Sequence, residues 1–108
     1  MEDRYEVVNY FNTKRYYKNE LIHREDGPAV EHPDGSEEWY IDGELHREDG
    51  PAVYLFNGNK EWYIEGKLHR EDGPAVVYPF EYEKWYINGK EITYEVKEWL
   101  VASNIPHY

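Results

Sequence analysis

The octapeptide His23–Val30, HREDGPAV, returns unchanged at His46 and again at His69, and both intervals are 23 residues. A second string, Trp-Tyr-Ile-x-Gly, has the same period, and its three copies begin at Trp39, Trp62 and Trp85. Self-similarity at a period of about 20–50 residues is the signature of a repeat architecture, in which each supersecondary unit stacks on its neighbours. The sequence therefore predicts three copies of a 23-residue unit.

A degenerate unit precedes the three copies. Shifted by 23 residues, Tyr16–Asn19 falls under Trp39–Asp42, and Tyr5–Phe11 falls under Pro28–Asp34. Terminal repeats are commonly atypical because they end the array. We therefore predict a single repeat domain over residues 1–108, with a degenerate hairpin at about 5–20, repeats at about 21–44, 45–67 and 68–92, and a C-terminal helix at about 94–103.

Each unit has the pattern of a β-hairpin with two short strands. In the middle copy these strands are Pro51–Phe56 and Lys60–Glu65. The second strand of a unit is followed by Asp-Gly, Glu-Gly or Asn-Gly, first at Asp42-Gly43. Such pairs predict a two-residue turn, because both positions need a positive φ. In the third copy, Pro79–Glu83 contains no glycine, which predicts a longer or differently shaped loop between the strands.

The alternation of side chains along a strand predicts two different faces of the sheet. If Asp34-Gly35 forms a two-residue turn, Val30 pairs with Trp39. One face is then continuous and apolar, and it contains Val30, Val53, Val76, Trp39, Trp62, Trp85, Ile41, Ile64 and Ile87. The other face is amphipathic and carries Tyr40, Tyr63, Tyr86, Ala29, Ala52 and Ala75.

The pattern changes after the third unit. Ile92-Thr93 stands where the next His-Arg pair would be. Thr93 is a suitable N-cap, because its hydroxyl can accept a hydrogen bond from a free amide of the first turn. Apolar residues then recur at helical spacing. The sequence predicts a helix from about Tyr94 to Ser103 that covers the Trp face or caps the open edge of the sheet.

The unit resembles the MORN repeat, in the variant form common in large phages and giant viruses. The resemblance rests on Trp39–Arg47 and Asp49–Ala52 and on their later copies, and it covers about Tyr5–Lys90. This chain has Gly-Pro-Ala where the usual repeat has a Gly-x-Gly pattern. The resemblance implies an all-β fold, a MORN-like antiparallel β-hairpin meander, here with a short C-terminal α-helix. It also implies a role as a scaffold, a dimerisation surface or a lipid contact.

Composition excludes several classes of function. The chain has 12 basic and 23 acidic residues, and its formal net charge of −11 opposes binding to duplex nucleic acid or to an anionic membrane. The aromatic content of 18% argues against disorder. No cysteine is available for a disulfide or a thiolate site. The absence of a membrane-length apolar run and of a signal-like start predicts a cytoplasmic protein, which is the host cytoplasm if the protein is phage-encoded.

The repeated His-Arg-Glu-Asp-Gly box has the residue types of a ligand site. Equivalent side chains of adjacent units lie two strands apart, about 9–10 Å, whereas metal bonds are about 2.0–2.2 Å long, so we predict no metal site. A structural interpretation has Asp26 accepting from turn amides and Arg24 pairing with acids of the next unit. The alternative is a site for a small anionic, nucleotide-type ligand, because guanidinium groups bind phosphate bidentately. That site would use His23, Arg24, His46, Arg47, His69 and Arg70.

No motif predicts an enzyme or a cofactor. An open sheet also lacks the closed pocket that acid–base catalysis needs. Aromatic rows are the better candidate, since Tyr and Trp supply contact area at low entropic cost, although such rows also stabilise sheets by cross-strand pairing. These residues are Tyr40, Tyr63, Tyr86, Trp39, Trp62 and Trp85. We therefore predict a non-catalytic protein-binding module, in its concrete form an acidic phage-encoded inhibitor that occupies the basic surface of a host defence protein. Alternatives are a sponge for the anionic ligand and a scaffold that forms a homodimer through its sheet edge or Tyr face.

Overall fold

The computed structural model describes residues 5–102, which form an antiparallel β-hairpin repeat with one C-terminal helix. The strands are β1 (Glu6–Tyr10), β2 (Thr13–Lys18), β3 (Leu21–Ile22), β4 (Val30–Glu31), β5 (Glu37–Glu38), β6 (Tyr40–Ile41), β7 (Glu44–Leu45), β8 (Val53–Tyr54), β9 (Lys60–Glu61), β10 (Tyr63–Ile64), β11 (Lys67–Leu68), β12 (Val76–Tyr78), β13 (Tyr82–Lys84), β14 (Tyr86–Ile87) and β15 (Lys90–Glu91). The helix is α1 (Thr93–Ala102). This architecture confirms the predicted all-β hairpin meander with a short C-terminal helix.

The strands form one large sheet and a row of smaller hairpins beside it. The order in the large sheet is β1-β2-β4-β5-β8-β9-β12-β13, and β3 pairs with the far end of β2. The smaller hairpins are β6–β7, β10–β11 and β14–β15. Backbone bonds connect each small hairpin to the one before it, for example from Arg47 N to Tyr63 O at 3.0 Å and from Gly66 N to Leu45 O at 2.8 Å. Every unit therefore contacts its neighbour on both sides of the array.

The tryptophan of each unit lies where the chain passes from the large sheet into a small hairpin. The Trp39 amide donates to Ala52 O of the next unit at 2.7 Å, and the Trp39 carbonyl accepts from His46 N at 3.0 Å. Trp62 makes the same pair of bonds with Ala75 and His69. The second strand that the sequence predicts in each unit is therefore split at its tryptophan into two short strands.

The two-residue turns are confirmed. Ile41 pairs with Glu44 across Asp42 and Gly43, whose φ angles are 48° and 82°. Both angles are positive, as a type I′ hairpin turn requires. The corresponding turns at Glu65-Gly66 and Asn88-Gly89 have the same conformation.

The other turn of each unit has three residues, so the predicted pairing of Val30 with Trp39 is wrong. Val30 pairs with Glu38, and Gly35 N donates to His32 O at 3.1 Å across the loop. Gly35 has a φ of 93°, which fits a type I turn closed by a left-handed residue. One additional loop residue moves the register by one position, and a one-residue shift turns a side chain to the opposite face.

The predicted composition of the two faces is corrected accordingly. Directly paired residues share a face of an antiparallel sheet. A single row therefore crosses the sheet through Arg15, Val30, Glu38, Val53, Glu61, Val76 and Lys84. Tyr40 lies two residues after Glu38 and bonds to it, so the valines share their face with the tyrosines rather than with the tryptophans.

The glycine-free loop of the third unit keeps the length of the other two. Tyr78 pairs with Tyr82, and Glu81 N donates to Tyr78 O at 2.9 Å across Pro79–Glu81. Its conformation differs, because the positive φ falls on Phe80, at 67°, one position before the place of the glycine. The expectation of a longer loop is wrong, and that of a different shape is confirmed.

Small residues form the core. Ala29, Ala52 and Ala75 are completely buried, and Val30 and Val76 are nearly so. None of the larger side chains among residues 5–102 is fully buried. The array is elongated, with extents of 52 × 29 × 18 Å, so backbone bonds between units carry much of its cohesion.

Helix α1 takes the place of a fourth full unit. Thr93 Oγ1 accepts from Trp85 N at 2.9 Å, and Ile92 N donates to Trp85 O at 2.7 Å. Val96 and Leu100 are half-buried, whereas Trp99 is 60% exposed. The predicted helix position is confirmed up to Ala102, and Ser103 lies outside the described residues. No helix in the described part of the chain has the length and apolar character needed to cross a membrane.

Candidate functional site

The three His-Arg-Glu-Asp-Gly boxes connect the small hairpins to the large sheet, and each folds over an aromatic ring. The Arg47 guanidinium carbon lies 3.8 Å from the centre of the Trp39 ring. Arg47 Nε donates to Asp49 Oδ1 at 3.0 Å, and Nη1 donates to Pro51 O at 3.2 Å. The same set of contacts holds Arg24 over Tyr16 and Arg70 over Trp62. The arginine of each box therefore hydrogen-bonds to two other residues of the same octapeptide and stacks on the aromatic ring.

The glycine of the box leaves room for this guanidinium. A Cβ on Gly50 would lie 2.9 Å from Arg47 Cζ. Carbon atoms that pack without bonding prefer separations of about 3.5–4.0 Å. The same close approach occurs at Gly27 and Gly73. A packing requirement therefore explains the glycine of the repeated motif.

The histidine of each box connects the strand before it to the turn of the next small hairpin. His46 Nδ1 accepts from Glu65 N at 2.9 Å, so Nδ1 carries no proton. His46 Nε2 then carries the proton and donates to Glu48 Oε2 at 3.2 Å. His23 and His69 make equivalent bonds to Asp42 N and Asn88 N. Both ring nitrogens of all three histidines are thereby engaged.

These contacts correct the predicted partners of the box. Arg24 pairs with Asp26 of its own box at 3.0 Å and lies 3.4 Å from Glu31, rather than pairing with acids of the next unit. Asp26 accepts from this arginine instead of from turn amides. The six residues proposed for an anionic ligand therefore have intramolecular partners already. Among residues 5–102, no group of three His, Asp or Glu side chains is placed to hold a metal ion.

Above the covered arginines, the carboxylates of the boxes point into solvent. The side chains of Glu48, Asp49, Glu71 and Asp72 are 82%, 84%, 82% and 88% exposed. Arg47 and Arg70, which neutralise part of this charge, are only 23% and 25% exposed. We call the surface formed by the three boxes, with Glu25-Asp26, Glu48-Asp49 and Glu71-Asp72, the acidic face.

Two grooves run across the acidic face, one between each pair of consecutive boxes. The groove between the second and third boxes has a volume of about 780 Å³, and Trp62 and Ile64 contribute to its lining. The groove between the first and second boxes has a volume of about 600 Å³, and Trp39 and Ile41 occupy the equivalent positions. Each groove therefore combines apolar lining residues with exposed carboxylates.

The tyrosine row lies on the opposite face of the sheet. Tyr40 OH donates to Glu38 Oε1 at 2.9 Å, and Tyr63 OH donates to Glu61 Oε1 at 3.0 Å. Burial, together with the adjacent glutamate, raises the pKa of both phenols to about 12. The third unit has Lys84 at the position of these glutamates, so Tyr86 lacks an equivalent acceptor.

The two glutamates on this face were not among the predicted site residues. His32 Nε2 lies 2.7 Å from Glu38 Oε2, and Tyr78 OH donates to Glu61 Oε2. The Glu61 bond and burial also raise the pKa of Tyr78. The sequence signal for Glu38 and Glu61 is the repeated Glu-x-Tyr spacing, because residues two apart share a face of a strand.

The aromatic residues predicted to bind protein therefore lie on two faces. Trp39 and Trp62 are half-buried under arginines on the acidic face, and the tyrosines lie on the other. Trp85 has Thr93 where an arginine would stand, and it lines a shallow cleft with Lys97. The structure thus brings the tryptophans and the boxes together and separates both from the tyrosines.

In comparisons with known proteins, no family model matches the chain, and no curated protein and no solved structure shows significant similarity to it. The resemblance to the MORN repeat therefore stays a prediction.

Proposed function

We propose that the protein is a non-catalytic binding module whose acidic face binds a basic segment of another protein. The observation that supports this most directly is the layering of each box. Arg47 stacks on Trp39 and Arg70 stacks on Trp62, so both arginine side chains are mostly buried. The aspartates that pair with these arginines remain exposed. The face therefore presents negative charge outward.

The spacing of the boxes favours an extended basic segment. Consecutive boxes lie two strands apart, about 9–10 Å. A chain in the polyproline II conformation has three residues per turn and advances about 3.1 Å per residue, so every third side chain of a segment bound in this conformation meets an equivalent box. Lysine and arginine also have aliphatic stems that pack on apolar surfaces while their charged ends stay in water. Trp62 and Ile64 offer such a surface in the larger groove.

The openness of the same grooves supports a binding role without catalysis. Acid–base chemistry uses carboxylates in desolvated sites that exclude water. The side chains of Glu48 and Glu71 are instead largely exposed to solvent. Exposed negative charge of this kind raises the association rate with a positively charged partner.

The resemblance to repeats of large phages and giant viruses supplies a biological setting for this proposal. In that setting the protein acts in the cytoplasm of an infected cell, where it inhibits a host defence protein by covering a basic groove. The net charge of −11 and the acidic face both favour a basic partner surface over nucleic acid or an anionic membrane.

The experiment that tests the binding role uses a synthetic peptide with lysine or arginine at every third position. The variant Glu48→Gln/Glu71→Gln removes two charges from the acidic face, and amide oxygens can still accept from His46 and His69. The matched control, Glu81→Gln/Glu83→Gln, removes two charges from the third hairpin. We expect the first variant to weaken binding by about tenfold and the control to change it little, with wild-type association slowing as salt rises.

Two results would count against the proposal. Equal weakening by both variants would show a response to net charge alone rather than to the acidic face. Binding that is independent of salt would remove charge as the driving force.

A further inference from the structure

The two ends of the large sheet differ in what lies next to their outermost strands. At the C-terminal end, α1 follows the last unit and Thr93 satisfies the Trp85 amide. At the N-terminal end, β1 pairs with β2 and with no other strand of the described chain. All five residues of β1 are exposed, including Val7, Val8 and Tyr10.

Among the strands that the structure describes, none pairs with the backbone groups on the outer edge of β1. Val7 lies opposite Tyr16, but Tyr16 N donates to Ala29 O at 2.8 Å and Tyr16 O accepts from His23 N at 3.0 Å. Tyr16 thus directs both of its backbone groups away from β1. In an antiparallel ladder such pairs alternate with hydrogen-bonded ones, so the N–H and C=O groups of Val7 and Asn9 point outward from the sheet.

Within residues 5–102, none of the usual protections covers this edge. Natural sheets shield exposed edge strands with lysine, proline, a bulge or a covering segment. β1 has the sequence Glu-Val-Val-Asn-Tyr, and its pairing with β2 is regular over all five residues. A five-residue strand of this composition is suited to pairing with another strand.

The distribution of charge identifies a second copy of the chain as an acceptable partner here. Residues 1–20 contain four basic and four acidic side chains, so the formal net charge of −11 is carried by residues 21–108. Two copies that approach through other parts of the chain bring like charges together. Two copies that approach through β1 meet at the neutral part of the sequence.

We propose that β1 pairs antiparallel with β1 of a second copy, about a two-fold axis that passes beside Val8. In this register Val7 lies opposite Asn9 of the partner subunit, and Asn9 lies opposite Val7 of the partner subunit. The outward N–H and C=O groups of both residues are then satisfied by four backbone hydrogen bonds. The interface is isologous, as expected of a two-fold dimer, and it is separate from the acidic face.

The first test replaces Asn9 by proline. The Asn9 N–H points outward, so Asn9→Pro removes a donor from the dimer without removing a bond to β2, and proline is tolerated on edge strands. Asn9→Ala is the matched control because it keeps the amide. Native mass is measured over a range of concentrations. We expect twice the mass of one chain for the wild type and Asn9→Ala, and a dimer weakened about tenfold or more for Asn9→Pro.

The second test places charge at the axis. Val8→Glu sets a carboxylate opposite Arg15 within the chain, which favours the hairpin. Across the axis it sets two carboxylates against each other, so the dimer weakens at low salt and recovers as salt rises.

A wild-type protein that keeps the mass of one chain at every concentration overturns the proposal. A folded Asn9→Pro variant that dimerises as strongly as the wild type also overturns it, because the interface then lies elsewhere. Circular dichroism and thermal unfolding of each variant show that the fold is retained.

Discussion

The Thr93 hydroxyl accepts from the Trp85 amide the hydrogen bond that Trp62, one unit earlier, gives to the carbonyl of Ala75. A side-chain oxygen thus replaces the backbone oxygen of a following unit. The array ends at this point without leaving the Trp85 amide unpaired.

Removal of this hydroxyl should destabilise the C-terminal end. We expect Thr93→Val to lower the free energy of unfolding by about 1–2 kcal/mol, because the Trp85 amide loses its acceptor. Thr93→Ser keeps the oxygen and should cost much less. Urea unfolding followed by tryptophan fluorescence measures both. Equal losses for valine and serine would show that the hydroxyl bond is unimportant.

The contact between Gly50 and Arg47 predicts a coupled pair of substitutions. Gly50→Ala should cost about 1–3 kcal/mol, because the new Cβ displaces a guanidinium held by Asp49 and Pro51. In an Arg47→Ala background the same change should cost much less, since the obstructing atoms are gone. A double-mutant cycle by chemical denaturation measures the difference. Additive costs would contradict this explanation of the glycine.

The bond from Glu65 N to His46 Nδ1 predicts which replacement of the histidine is tolerated. His46→Ala leaves a backbone amide without its acceptor and should cost about 1–3 kcal/mol. Asn has its Oδ1 at a similar distance from the backbone, so His46→Asn should retain part of the stability. Thermal unfolding of the two variants makes the comparison, and a ranking of alanine above asparagine would contradict it.

The tyrosine row predicts a loss of stability at high pH. The ordinary pKa of a tyrosine is 10.0, and that of Tyr40 and Tyr63 in the folded protein is about 12. A raised pKa of this kind contributes stability that is present below pH 10 and is lost as the pH rises toward 12. Absorbance of phenolate during a pH titration should show a late phase, which Tyr40→Phe/Tyr63→Phe reduces. Titration of all twelve tyrosines in one early phase would contradict the prediction.

The sequence was sufficient to predict the unit but insufficient for its register. Asp42-Gly43 specifies its turn, because both residues have the positive φ angles that the pair favours. Asp34-Gly35 looks alike but closes a three-residue loop, and hairpins of both lengths use such pairs. The assignment of Val30 to a face depends on that one residue, so local pattern alone could not decide it.

The sequence was sufficient to predict a structural role for the repeated box but not all of the contacts that its side chains make. The box reads as structural from its Asp-Gly-Pro sequence. However, the stacking of Arg47 on Trp39 depends on how the chain reverses between the two residues. By contrast, the bond from Tyr40 to Glu38 follows from side-chain alternation along a strand, so the repeated Glu-x-Tyr spacing was sufficient to predict it. Only the first of these contacts depends on the three-dimensional path of the chain.

Each unit bonds to the unit after it through equivalent groups, and this repetition gives the array a length that can be varied. Trp39 donates to Ala52, Trp62 donates to Ala75, and Thr93 ends the series by accepting from Trp85. Removal of one block of 23 residues leaves every remaining unit with the same forward partner. A chain shortened in this way keeps both ends and has one groove instead of two. The number of units therefore sets the valency of the acidic face, and affinity for a repeated basic segment should rise with each block added.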